Sequence, residues 1–252
     1  MRFKASKLNG NKGVKAQNGQ SILVREFEPA DEPEVQRIFY EGLMEMVPDT
    51  ALKGLKFHPE SFLLYAAMTV LCFVITMCWW MIGLIPAIVV CMRYFYSRTV
   101  IRGYLKQAMS RDMGDIEGYY MKSPGSCLWV AVMQGKVIGV VAAAGQSEDV
   151  VELQRMCVDQ RYRLCGVGVA LGKKVLEFAA AQRYSSVVLG TTAYTQAVHQ
   201  LYKRLGFNCI GVTNGYVTPG ARQSLLEQIF YRVRHHHYSL TVQNCKNTSN
   251  GH

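Results

Sequence analysis

The sequence predicts an α/β fold, a mixed central sheet flanked by helices, with an apolar helical hairpin inserted near its start. Three observations carry this. Alternating strand and helix patterns run from residue 127 to 218, a basic glycine-bearing turn joins a strand to a helix at residues 156–172, and residues 61–92 hold no charged side chain. A chain of 252 residues accommodates one domain of about 150 residues plus an added segment.

Taken in order, residues 1–20 carry Arg2, Lys4, Lys7, Lys12 and Lys15 and no acidic residue. They predict a disordered basic arm, either a lipid-surface anchor or a solubilising tail. A secretory signal is not expected, because no apolar core follows the arm. Residues 21–60 read as the first part of the α/β domain. A strand covers 22–27, an acidic turn rich in proline covers 29–33, and a helix follows with Val35, Ile38, Phe39, Leu43 and Met46 on its apolar side. A second helix is expected to be interrupted after Pro48.

The uncharged run at 61–92 is longer than the roughly 20 residues one spanning helix requires. Gly83 and Pro86 are expected to divide it. Lys53, Lys56 and His58 precede it, and Arg93, Arg98 and Arg102 follow it. Basic residues on both flanks keep both ends on the cytosolic side, which a membrane-embedded hairpin satisfies. A single tilted span over 63–84 and a core hairpin away from any bilayer are the alternatives. Asn247-Thr248-Ser249 is a glycosylation acceptor, so glycan on Asn247 in microsomes would exclude the hairpin.

Residues 93–240 read as the main domain. A helix over 94–107 leaves the membrane surface, and Asp112, Asp115 and Glu117 mark a solvated turn and helix start, with a substrate-side role as the second reading. Strands at 127–133 and 136–144 flank Gln134-Gly135. A strand at 151–158, a helix to Ala181, a strand at 186–191 and a helix at 195–205 ended by Gly206 follow. Strands at 208–212 and 216–218 flank Asn214-Gly215, a favoured hairpin turn. Residues 241–252 read as a flexible tail.

Composition removes several function classes. The eight cysteines are scattered without a C-x-x-C pair, so neither a disulfide framework nor a zinc site is expected, and reduced thiols facing the cytosol are the simpler account. His235-His236-His237 has no partners at metal-ligand spacing and reads as a basic surface run; no metal is expected. The net charge of +10 comes without a groove-reading motif, which argues against nucleic acid and leaves a lipid bilayer or an anionic ligand as partner.

The turn at 156–172 has the form of an anion site. Met156, Cys157 and Val158 end a strand, Arg163 supplies a cation, and Leu164, Cys165, Gly166, Val167 and Gly168 turn into a helix whose first N–H groups converge on one point. A dinucleotide fingerprint needs a third glycine where Leu171 stands. A Walker loop needs glycine at Val167 and Ser or Thr at Lys174. Both fail.

Arg163, Gly166 and Gly168 match R-x-x-G-x-G, and Leu201 to Phe207 match L-Y-x-x-x-G-F. Together with the element order these resemble the GNAT acetyltransferases over nearly the whole chain outside the apolar run. The resemblance implies acetyl-CoA as co-substrate, held by the 156–158 strand end, the 163–168 turn, Thr195 and Tyr202. The family often has Asn where Thr195 stands. It also implies Tyr202 as the general acid that protonates the departing thiolate, main-chain N–H groups around Cys157 as the oxyanion site, and direct attack in a ternary complex.

Glu152, on the strand entering the turn, is the best-placed carboxylate for a general base. Strict alternation puts Glu152, Gln154 and Met156 on one face and Arg155 and Cys157 on the other, and one bulge reverses the count. Cys165 at a helix start suggests a covalent route as a minor alternative. His199 reads as structural or substrate-side.

Residues 93–98, 112–117, 119–127 and 187–192 resemble the membrane-associated GNAT branch that acetylates L-aspartate; neighbouring branches act on cysteine S-conjugates or on protein lysines. The resemblance implies a small amino-acid acceptor, and an endoplasmic reticulum membrane, in preference to a mitochondrial one, with the catalytic domain facing the cytosol. Aspartate's two carboxylates call for cations, for which Arg155 and Arg161 are the candidates, with Arg102 and Lys122 also available. A thioether substrate needs an apolar pocket instead. A non-catalytic, membrane-tethered acetyl-CoA-binding scaffold is the reading from another class.

Overall fold

The computed structural model describes residues 14–15, 21–57, 59–214 and 234–242. The rest of the expected arm and tail, His58, Gly215 with the 216–218 strand, and Asn247 lie outside the described residues. Eight strands form one sheet in the order β1-β2-β3-β4-β5-β6-β8-β7: β1 (Val14–Lys15), β2 (Ser21–Glu26), β3 (Cys127–Met133), β4 (Lys136–Gly145), β5 (Val150–Val158), β6 (Ser186–Thr192), β7 (Asn208–Asn214) and β8 (Arg234–Thr241). All neighbours are antiparallel except β5 and β6, so the sheet is mixed.

The apolar run of β3 and β4 is buried on both faces. Trp129, Ala131 and Met133 point into one core beside α5 (Val167–Ala181), and Leu128 and Val130 into another beneath α1 (Glu32–Met44). Helix α1 starts where Arg25 grips Asp31 with two hydrogen bonds of 2.6 and 2.8 Å, and Asp31 accepts the Glu28 N–H at 2.9 Å. This caps the acidic turn.

Four expectations change. Helix α2 (Met46–Phe57) is continuous, because Pro48 falls in its first turn, where its missing N–H costs nothing. The apolar run forms α3 (Pro59–Thr76) and the front of α4 (Trp80–Met109), and the reversal lies at Met77, with φ +50, rather than at Gly83 or Pro86. Pro86 stays inside α4. The separate helix at 94–107 is therefore the far end of the same 30-residue rod.

The two helices are antiparallel. Arg93 of α4 donates to the Tyr65 hydroxyl of α3 at 3.3 Å, and its Nε donates to the Ala51 carbonyl of α2 at 2.8 Å. Arg93 is buried by this junction, whereas Arg98 and Arg102 stay exposed. At the tip Trp79 and Trp80 are 76% and 84% exposed. The helix Met81–Met109 is long and apolar enough to cross a membrane.

The third change is at the histidines. Residues 235–237 form part of β8, which inserts between β6 and β7 and pairs Asn208–Asn214 with Arg234–Thr241. They are no basic surface run: burial pushes the His235 imidazole down to about 4, aided by its histidine neighbours. The fourth concerns the two ends of the chain. Val14 and Lys15 of the expected arm pair with Ile22 and Ser21, and Thr241 and Val242 belong to the folded domain.

Candidate active site

Strands β5 and β6 pair only from Val150 to Glu152 on one side and Ser186 to Val188 on the other. Beyond that point β6 continues beside β8 to Thr192, and β5 keeps only β4. The two parallel strands thus diverge, and the outer edge of β5 from Leu153 to Val158 has no strand partner among the described residues. Main-chain N–H groups on such an edge are open to a ligand.

The β4–β5 register shifts between Val140 and Ala142, where Arg155 adopts φ +54. This is a bulge, and it changes which side chains share a face. Val151, Leu153, Met156 and Val158 pack on the α5 side, while Cys157 packs toward α1. Arg155 therefore joins Glu152 and Gln154, and Met156 leaves them, the reverse of strict alternation.

Arg155 is engaged. Its Nε and one Nη donate to Asp112 at 2.7 and 2.9 Å, the other Nη donates to the Tyr104 hydroxyl, and the guanidinium lies 5.3 Å from the ring centres of Phe39 and Tyr104. Burial alone would lower its pKa, but the hydrogen bonds and charge of Asp112 outweigh that and raise it. Tyr120 donates to Asp112 at 2.6 Å, and its pKa is raised by burial and by that carboxylate. Asp112 is buried, so the solvated reading of the acidic cluster fits Asp115 and Glu117 but not Asp112.

Glu152 is half-buried on the same face and accepts from Gln146 and Gln154, each at 2.5 Å. Arg161 has separate surroundings: it sits on an exposed turn, Gln160–Tyr162, and donates to Asp159 at 2.7 Å. The two arginines expected to grip an acceptor have different partners. Nothing joins them into one site.

The turn at 163–168 joins β5 to α5. Leu164 (φ +63, 91% exposed) and Gly166 (φ +88) are left-handed, which aims consecutive N–H groups toward a common point. Gly166 has nothing within 4 Å of where a Cβ would stand. No side chain caps α5, so its first-turn N–H groups are available to an anion. At Gly168 a Cβ would lie 3.0 Å from Leu201, so this glycine lets α6 (Gln196–Arg204) approach α5. Cys165 is half-buried against the α5-side core.

Tyr202 projects from α6 into the core beside Phe207 and Tyr238, with ring centres 5.8 and 5.9 Å away. Its hydroxyl has no hydrogen-bond partner among the described residues. Burial raises its pKa, with Cys157 and Tyr238 adding to the effect, so it holds its proton at neutral pH. Burial likewise pushes the Cys157 thiol up to about 11, which makes it unreactive. Thr195 precedes α6 and makes no side-chain cap. His199 bonds the Tyr238 hydroxyl at 2.8 Å, a structural contact. Among the described residues no group of three or more His, Cys, Asp or Glu is placed to hold a metal.

Residues 94–207 match the family model described as the acetyltransferase (GNAT) family. The chain is 49% identical over 235 residues to N-acetylaspartate synthetase of Homo sapiens, covering 93% of this chain and 78% of that one. The chain belongs to the GNAT acetyltransferase family. It is an acetyl-CoA-dependent N-acetyltransferase. N-acetylaspartate synthetase of Danio rerio is 48% identical over 229 residues, covering 90% of this chain and 81% of that one. N-acetyltransferase 8 of Mus musculus is 30% identical over 196 residues, with 76% and 86% covered. The crystal structure of a GNAT-family acetyltransferase from Staphylococcus aureus Mu50 superposes with a TM-score of 0.50 at 15% identity, covering 88% of this chain and 99% of that one, a likeness of fold.

Within this GNAT site, sequence reasoning missed Asp112, Tyr104 and Tyr120 as partners of Arg155. The available signal was the bulge, which turns Arg155 toward their elements. It also missed Glu45, which accepts from Arg163 at 2.5 Å while the Arg163 Nε donates to the Val158 carbonyl at 3.2 Å.

Proposed function

We propose that the protein transfers the acetyl group of acetyl-CoA to the amino group of L-aspartate, giving N-acetyl-L-aspartate. The observation that carries this is the 49% identity to N-acetylaspartate synthetase over 235 residues, a stretch of the chain long enough to take in most of the site. In this reading the divergence of β5 and β6 admits the pantetheine arm, and Arg163 with the 164–168 N–H groups holds the pyrophosphate.

The acceptor amine attacks the thioester carbonyl carbon. Main-chain N–H groups at the β5 bulge near Cys157 stabilise the oxygen as it gains charge. Glu152, directly or through a water, takes the proton that the amine must lose. As the carbon–sulfur bond breaks, the electron pair goes to sulfur and Tyr202 delivers its proton there. A protonated hydroxyl on a buried ring suits that role. Arg155, on the same face of β5 as Glu152, is the acceptor-side cation of this proposal, and Arg161, held by Asp159 on a separate exposed turn, is left out of it. Asp112 takes the Nε and one Nη of Arg155 and Tyr104 takes the other Nη, which leaves only the remaining N–H groups of the Nη pair for a carboxylate.

The exposed tip tryptophans and the antiparallel path of α3 and α4 support an anchor that enters and leaves a bilayer by the same face, and the family resemblance alone suggests the cytosolic side of the endoplasmic reticulum. Purified full-length protein in detergent, given acetyl-CoA with L-aspartate or S-benzyl-cysteine in parallel, tests the acceptor. Acetylated aspartate is expected by mass spectrometry. Turnover confined to S-benzyl-cysteine would overturn the assignment.

A further inference from the structure

One face of α1 runs along the donor turn. Arg37, Glu41 and Glu45 recur every four residues and so lie on one stripe. Arg37 donates to Asp159 at 3.2 Å at one end of the turn, and Glu45 accepts from Arg163 at 2.5 Å toward the other. The two contacts differ in kind. The Asp159 carboxylate is buried, shared with Arg161 at 2.7 Å, and its pKa is held far below the usual range, first by the Arg161 hydrogen bond. The Arg163–Glu45 pair is open, with side chains 43% and 35% exposed. Buried and multiply bonded, the first is an anchor. The second costs little to break.

Arg163 is also the cation of the donor turn, and one guanidinium edge cannot face both a carboxylate and a pyrophosphate. The Glu45 carboxylate, 2.5 Å from the Arg163 guanidinium, would moreover repel a phosphate bound to that cation. We infer that Glu45 is a counter-ion that the pyrophosphate displaces from Arg163, so that this residue sets donor affinity and hands the cation over when acetyl-CoA arrives. The inference rests on the pyrophosphate reading of Arg163. Glu45 acts through Arg163 and is a positioning residue.

Glu45→Gln keeps the side-chain shape and removes the competing charge. In full-length protein the Kd for CoA and the KM for acetyl-CoA are expected to fall about two- to fivefold, the range of an exposed ion pair, with the change on the donor's KM rather than the acceptor's. S-acetylpantetheine, which lacks the pyrophosphate, should show no such gain. In an Arg163→Ala background the Glu45→Gln effect should vanish. Unchanged or weaker CoA binding in Glu45→Gln overturns the exchange, as does an equal gain for S-acetylpantetheine or in the Arg163→Ala background. If Arg163→Ala alone leaves CoA affinity unchanged, the pyrophosphate reading itself falls and the exchange falls with it.

Discussion

The sheet and the α3–α4 hairpin are built from similar apolar residues and use them in opposite ways. Trp129 on β3 is 1% exposed inside a core of β-strand and α5 side chains, whereas Trp80 at the hairpin tip is 84% exposed. Helix α3 presents Phe62, Leu63, Val70, Leu71 and Val74 outward, and α4 presents Ile82, Leu84, Ile88 and Val90. An apolar surface of this extent in one contiguous projection belongs against another apolar phase. Hydrophobic composition alone does not say which apolar residues this chain covers with its own side chains. Packing does.

The comparison can be broken at several points. The largest effect is expected at Trp129→Ala, which removes a buried indole and should cost about 3–5 kcal/mol in chemical denaturation of the solubilised protein. A loss below about 1 kcal/mol would mean the sheet core is not what holds the domain. Tyr202→Phe should lower kcat about a hundredfold or more, with the melting temperature kept, because it removes one proton and little packing. Unaltered turnover would assign Tyr202 to the core alone.

At the junction of the two regions, Arg93→Met should cost about 1–3 kcal/mol, since the Ala51 carbonyl and Tyr65 hydroxyl lose a donor inside packed helices. Acid provides a smaller test. His235 is held neutral in the fold down to about pH 4, while an unfolded histidine takes its proton near pH 6.5. The unfolded state binds more protons between those values, so stability should rise with pH across that window and level off above it. His235→Gln should flatten the rise. Trp80→Ala should shift the unfolding free energy by no more than about 0.5 kcal/mol, yet weaken flotation with liposomes. A large stability loss at Trp80 would give the tip a protein partner.

Most of the domain was legible in local pattern. The strands at 127–133 and 136–144 and the helix ending at Ala181 follow from apolar runs, a turn at Gln134-Gly135 and 3.6-residue periodicity, and each is present. The missed reversal at Met77 had no glycine or proline to mark it. Strand β8 was missed because its partners, β6 and β7, precede it in the chain and its histidines look polar on paper. Glu152 and Tyr202 were found as candidates by type and spacing. Glu45 was not, and Asp112 was found only within an acidic cluster and not as the partner of Arg155, since the two act through arginines 118 and 43 residues away, and sequence spacing carries no signal at that range.

By itself the sequence determined the α/β class, the glycine-bearing turn from Arg163 to Gly168 that opens a helix, the helix carrying Tyr202 and the uncharged run, because each depends on residues within one turn or one element of each other. Only the tertiary structure decided which face Arg155 takes, where β5 and β6 part, how Arg93 is buried and what holds Arg163. Those outcomes depend on a one-residue bulge and on pairings between distant segments, where a small change of register turns every later side chain to the opposite face.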